Sequence, residues 1–218
     1  PAQLRALAVR AAAHGIATQI HAIGDAAVRA ALDALGATAG ATQLLPRVEH
    51  AQLVAADDLP RFAALGVAAS MQPVHVRSDA AKARRLWGAR AEARGYALGA
   101  LVRSGAVVAA GTDAPVEPVD PWPGVACAVV RSAPEWAPGT PPFGAQHAVD
   151  LWTSLRAWCV GPARSAGERD RGRLVAGCRA DVAVLPAAAL DEPVEAGGTL
   201  WRARPTLVLI NGEVAAER

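Results

Sequence analysis

The chain has 218 residues, 22 lysines plus arginines against 20 acids for a formal charge of +2, and 52% hydrophobic residues but only 4% aromatic. That allows one sizeable core or two small ones, packed largely through alanine. The scattered arginines leave no electrostatic footprint for nucleic acid, and Arg103 interrupts the most apolar region, Leu98 to Ala110, before it could span a bilayer.

Residues 2–13 read as an amphipathic helix that stops at His14-Gly15. No methionine opens the chain, the only one being Met71, and no basic-then-apolar leader pattern is present, so the sequence is expected to start partway through a larger protein. Strand–helix units follow. Ile16–Ala22 reads as a strand and Asp25–Leu35 as a helix ended by Gly36. Leu44–His50 reads as a strand and Asp57–Leu65 as a helix ended by Gly66. Val67–Gln72 is strand-like, Ala80–Ser104 is a long helical stretch of one or two helices, and Val107–Thr112 is a strand. Repeated strand–helix units with short connections predict a parallel α/β sheet, and the apolar runs predict strands buried on both faces. Proline-rich loops follow Asp113, then a helix near Ala145–Val160. The tail, "GCRADVAVLP" and "RPTLVLINGEVA", reads as a small β-element with a tight turn at Asn211-Gly212. The expected division is residues 1–172 for the α/β part and 173–218 for the β-element. Cys127, Cys159 and Cys178 form no C-x-x-C pair, which argues against a disulfide framework and fits a reducing cytoplasm.

Three predicted strands end in groups that bind metals: His21, His50 in "RVEHAQ" and Asp113 in "AAGTDAP". The C-terminal ends of parallel strands share one rim, so residues distant in sequence can meet there. The third strand brings Gln72 and His75 to the same edge. Two neutral imidazoles and a carboxylate suit Zn²⁺ and related divalent ions. Each residue alone also has a plainer reading. His21 could be a hydrogen-bonded core histidine, and Asp113 could shape the turn before Pro115. Glu49 is expected to point at the outer helices, since strand neighbours alternate faces. Asp25, Asp57, Asp58 and Asp79 read as helix caps, with Asp79 of added interest after "QPVHVRS". His14 and His147 read as structural or exposed.

"HAIGDAAV", "RVEHAQ", "SMQPVHVRSD" and "GTDAPVEPVDP", with the tail "RGRLVAGCRADVAVLP", resemble the amidohydrolase superfamily, specifically amidohydrolase family 3 with its N-substituted formamide deformylases. The resemblance implies a (β/α)₈ TIM barrel followed by part of a small β-sandwich domain, this chain supplying barrel strands five to eight. It implies one or two divalent ions, with His21, His50 and Asp113 as ligands. The family's His-x-His pair has no counterpart here, and the single lysine, Lys82, falls on a helix. The N-terminal half of the barrel is therefore expected as another segment or in a partner copy, which would make a homodimer. Four strands cannot close a barrel, so this chain alone is expected to bind metal weakly.

The implied activity is hydrolysis of an amide, formamide or cyclic amide C–N bond in a small molecule by a metal-dependent cytoplasmic enzyme. Asp113 would act as the proton shuttle, and His75 as a substrate or oxyanion contact or a support for a ligand. Two ions would sit roughly 3.5–4 Å apart and share a hydroxide. A deaminase fits less well, because Gly24 stands where such enzymes carry a glutamate. A catalytically silent or regulatory barrel is the alternative of a different class. Trp122 and Trp136 read either as pocket walls or as loop anchors.

Overall fold

A computed structural model describes residues 2–218. Helix α1 (Ala2–Ala13) leads into strand β1 (Gln19–Ala22) and helix α2 (Asp25–Leu35). Strand β2 (Arg47–His50), helix α3 (Leu59–Leu65) and strand β3 (Ala68–Met71) follow. Three helices, α4 (His75–Trp87), α5 (Ala89–Arg94) and α6 (Leu98–Arg103), then lead to strand β4 (Val108–Ala110). The four strands form one parallel sheet in the order β1-β2-β3-β4, so every crossover is helical. The architecture is α/β, as the alternating pattern predicts.

Helix α2 shows how the sequence drives the packing. Val28, Ala31, Leu32 and Leu35 recur at helical spacing and are all buried. They meet Val48, Ala69 and Val108 from the sheet and Phe62, Leu98 and Leu101 from the other helices in one core. This face of the sheet is packed against helices. The opposite face carries Gln19, His21, Arg47, Glu49 and Ser70 beside the buried Ala68 and Ala109, so β1 and β2 alternate, while β3 and β4 keep small buried residues on both sides.

Several boundaries differ from expectation. The helical stretch predicted over Ala80–Ser104 is three helices, starts earlier at His75, and is broken at Gly88 and at Gly95-Tyr96. The prolines after Asp113 do not exclude a helix. Pro121 and Pro123 sit at the start of α7 (Trp122–Val130), where a missing N–H costs nothing. The next helix, α8 (Leu151–Ser165), begins six residues later than predicted because Asp150 caps it, accepting from the Thr153 N–H at 2.9 Å.

Helix α8 lies against β4 with Gly161 at the closest point. A Cβ there would stand 1.9 Å from the Val108 carbonyl oxygen. In the tail, strand β5 (Val182–Val184), the short helix α9 (Ala188–Asp191), strand β6 (Leu207–Ile210) and strand β7 (Glu213–Glu217) follow. The three strands form an antiparallel sheet in the order β5-β6-β7. The β6–β7 turn is Asn211-Gly212, both at positive φ (54° and 84°), the hand that matches strand twist in a two-residue hairpin. Leu200 and Trp201 tie the tail to Val125 and Cys127 of α7.

Candidate metal centre

The parallel register sets His21 beside Glu49, and Glu49 beside Ser70. In-register neighbours share a face, so Glu49 lies on the same side as His21, not toward the helices as expected from alternation. There it pairs with Arg47 at 3.2 Å. Val48 takes the helix side. Simple alternation would send His50 there as well, but the backbone turns first. His50 has φ of 72° and Ala51 of 44°, both left-handed. This swings the His50 ring to the rim, edge-on to His21 with ring centroids 4.4 Å apart. Asp113, just past β4, also adopts positive φ, 64°, a region aspartate tolerates better than most residues. Such backbone costs of order 1–3 kcal/mol per residue and collects at functional sites.

The residues whose donor atoms converge are His50, His75 and Asp113, all within 4.8 Å of one another. His21 touches His50 but falls outside that trio. His75 is the first residue of α4 rather than part of the preceding loop, and it is buried. Its Nε2 lies 3.8 Å from Asp113 Oδ2 and makes no hydrogen bond. Burial pushes the His75 imidazole below its ordinary pKa, against the pull of Asp113 and Asp79, so the ring favours the neutral form. Gln72 Oε1 sits 2.9 Å from His50 Nδ1, and Gln52 Nε2 sits 3.4 Å from His75 Nδ1. Imidazole nitrogen and carboxylate oxygen, as His50 and Asp113 offer them, are donors of the kind divalent zinc takes. The buried Nε2 without a partner is a second sign that the rim is built to receive something.

Asp79 caps nothing. It lies within α4, one turn beyond His75, and accepts a hydrogen bond from the Tyr96 hydroxyl at 2.9 Å. Tyr96, the chain's one tyrosine, is buried at positive φ. Burial and then Asp79 push its hydroxyl well above its usual pKa, so it stays a donor. Nothing in the sequence marked it beyond its rarity. Asp25 is the first residue of α2 rather than its cap, which is Gly24, and it pairs with Arg90 at 3.0 Å. Asp58 precedes α3 without capping it. Its buried carboxylate accepts from Arg29 and Arg61, at 2.9 Å each.

His14 is exposed after α1, while His147 is buried, with Nε2 3.1 Å from the Ala93 carbonyl oxygen. Trp136 donates to the Arg77 carbonyl at 3.0 Å and, like Trp122 at the start of α7, packs against the cluster of Val125, Cys127 and Leu200, so Trp136 anchors a loop and Trp122 a helix start. Lys82 lies on α4. The thiol of Cys127 is pushed up to about 12 by burial, which removes it as a nucleophile. An arginine-lined recess of about 410 Å³, between Leu45 and Arg164, shares no residue with the rim. No described helix is long and apolar enough to cross a membrane.

The profile of the amidohydrolase family matches residues 1–216. The chain is 32% identical over 197 residues to Protein LONG AFTER FAR-RED 3 of Arabidopsis thaliana, covering 88% of this chain and 33% of that protein. It superposes on an uncharacterized metal-dependent hydrolase from Pyrococcus horikoshii with a TM-score of 0.70 at 32% identity, covering 82% of this chain and 35% of that one. A metal-dependent hydrolase from Pyrococcus furiosus gives a TM-score of 0.67 at 31% identity, with the same coverage of 82% and 35%. The chain therefore spans about a third of the length of these proteins. A match running to within two residues of the end settles the affiliation: the chain belongs to the amidohydrolase family.

Proposed function

We propose that this chain is the part of a metal-dependent hydrolase carrying barrel strands five to eight and part of a small β-sandwich domain, divided near residues 172 and 173. The reaction is hydrolysis of a C–N bond in a small amide, formamide or cyclic amide, in the cytoplasm. The observation that carries this reading is the convergence of His50, His75 and Asp113 at the C-terminal ends of three parallel strands. The metal-dependent hydrolases that the chain resembles support it.

His50 and Asp113 hold the ion, zinc being the expected metal, and His21 is the third ligand that the family resemblance assigns. A divalent ion bound there supplies water acidified to a pKa of about 7 and a Lewis acid for the scissile carbonyl. Asp113 accepts the proton from the attacking water and returns it to the leaving nitrogen. His75 offers a hydrogen bond to the oxygen on which charge develops. The remaining barrel strands and ligands come from a further segment or from a partner copy. The test is metal analysis of the whole protein with a screen of amides, formamides and cyclic ureas. Metal-dependent release of amine supports the reading, and loss of metal without loss of turnover would overturn it.

A further inference from the structure

The rings of His50 and His75 lie nearly parallel, with centroids 6.2 Å apart and planes 16° from each other. Each offers a ring nitrogen within 4.8 Å of the same carboxylate, close enough to share an ion with it. Proximity alone would make both of them ligands. A neutral imidazole, however, carries one N–H and one lone pair, and its neighbours decide which nitrogen has which. We infer that two glutamines sort these histidines into different jobs: Gln72 fixes His50 with hydrogen on Nδ1 and a free Nε2 lone pair for metal, whereas Gln52 fixes His75 with hydrogen on Nε2, making it a hydrogen-bond donor and not a ligand.

His50 Nδ1 faces Gln72 Oε1, which can only accept, so Nδ1 carries the hydrogen. His75 Nδ1 faces Gln52 Nε2, which can only donate, so Nδ1 is the bare nitrogen. Asp113 gives the same answer from the other side of the ring. The nearest charged group to His75 Nε2 is its carboxylate oxygen, an acceptor. Gln52 is itself held in place. It is buried, its backbone carbonyl accepts from the Tyr96 N–H at 2.6 Å, and the next N–H, of Leu53, donates to the Ile23 carbonyl at 2.9 Å, so its stretch of backbone is fixed beside His75. The Tyr96 hydroxyl meanwhile grips Asp79 on the helix that carries His75. One residue thus braces both the glutamine and the helix. Gln52, Tyr96 and Asp79 are positioning residues that act through His75, and the unpartnered Nε2–H is what they present to a substrate oxygen.

The use of the free nitrogen on His50 rests on the metal-site reading above, but the two tautomers do not. Long-range ¹H–¹⁵N spectra of the full chain, labelled at histidine, metal-free and at pH 8, read each ring directly. The expected result is hydrogen on Nδ1 of His50 and on Nε2 of His75. Added zinc should shift the His50 nitrogens and leave those of His75 in place. Gln52→Glu, which replaces the donor with an acceptor, should put a hydrogen on His75 Nδ1. A wild-type His75 with its hydrogen on Nδ1, or one whose nitrogens move on zinc binding as those of His50 do, overturns the inference. If zinc fails to bind this chain, as the missing barrel strands would allow, the tautomer assignment is still decided by the metal-free spectra; failure of the whole protein to bind zinc would overturn the hydrolase reading.

Discussion

Asp113 sits in left-handed backbone beside a buried imidazole, so its side chain can be altered with little change to the chain path. Asn tolerates the same backbone. Asp113→Asn in the whole enzyme should therefore melt within a few degrees of wild type while turnover falls at least ~100-fold, the low end for losing a general base. Activity within tenfold of wild type would remove Asp113 from the mechanism. His147 gives a pH prediction away from the site. Burial, with Arg131 and Arg103 nearby, lowers its pKa below the ordinary 6.5, against a raising contact with the Ala93 carbonyl. The unfolded chain thus takes up a proton at higher pH than the folded one. Stability should fall as pH drops through 6.5. His147→Gln should flatten the pH 5–7 portion of a denaturation series, and an unchanged slope would contradict this. His50 and Asp113, singled out by their places after predicted strands, are among the three donors that converge, whereas His21 lies beside His50 and outside that trio. Which face each occupies was not legible in the sequence. Alternation misplaced Glu49 because the left-handed turn at His50 and Ala51, which has no signature in sequence, resets the phase.

At the scale of elements, helices with an apolar face at regular spacing, such as α2, were readable almost to the residue. A helix opened by prolines, and helices separated only by a short break in a helical run, were not. Helix α7 was hidden by its flanking prolines, and α4 to α6 merged because an alanine- and arginine-rich run keeps helical propensity across its breaks. The start of α8 was set by a cap rather than by periodicity. Asp150 accepts from both the N–H and the hydroxyl of Thr153, and those bonds hold its carboxyl below the ordinary range. Asp150→Ala should cost about 1 kcal/mol in chemical denaturation, and a loss of nothing would show the cap to be idle. Gly161 offers a sharper contrast. On a free helix Gly→Ala stabilises by up to about 1 kcal/mol. Here the added carbon would collide with the backbone of β4, so Gly161→Ala should destabilise by about 3 kcal/mol or more. A variant as stable as wild type would mean that α8 is free to move off the sheet.

For the whole molecule, the parallel sheet and the antiparallel tail were readable because strand–helix alternation and the Asn-Gly turn are strong local signals. The polar face carrying His21, Arg47 and Glu49 was not, since short strands do not show which side a partner covers. On the proposal that further strands complete the barrel, the 218-residue chain alone should bind zinc more weakly than the whole protein. Stoichiometric tight zinc in the isolated chain would contradict it. The most direct test of the account is anomalous diffraction at the zinc edge on crystals of the whole protein. An ion ligated by the His50 imidazole and the Asp113 carboxylate is the expected result. A fully occupied ion with neither residue among its ligands would contradict it.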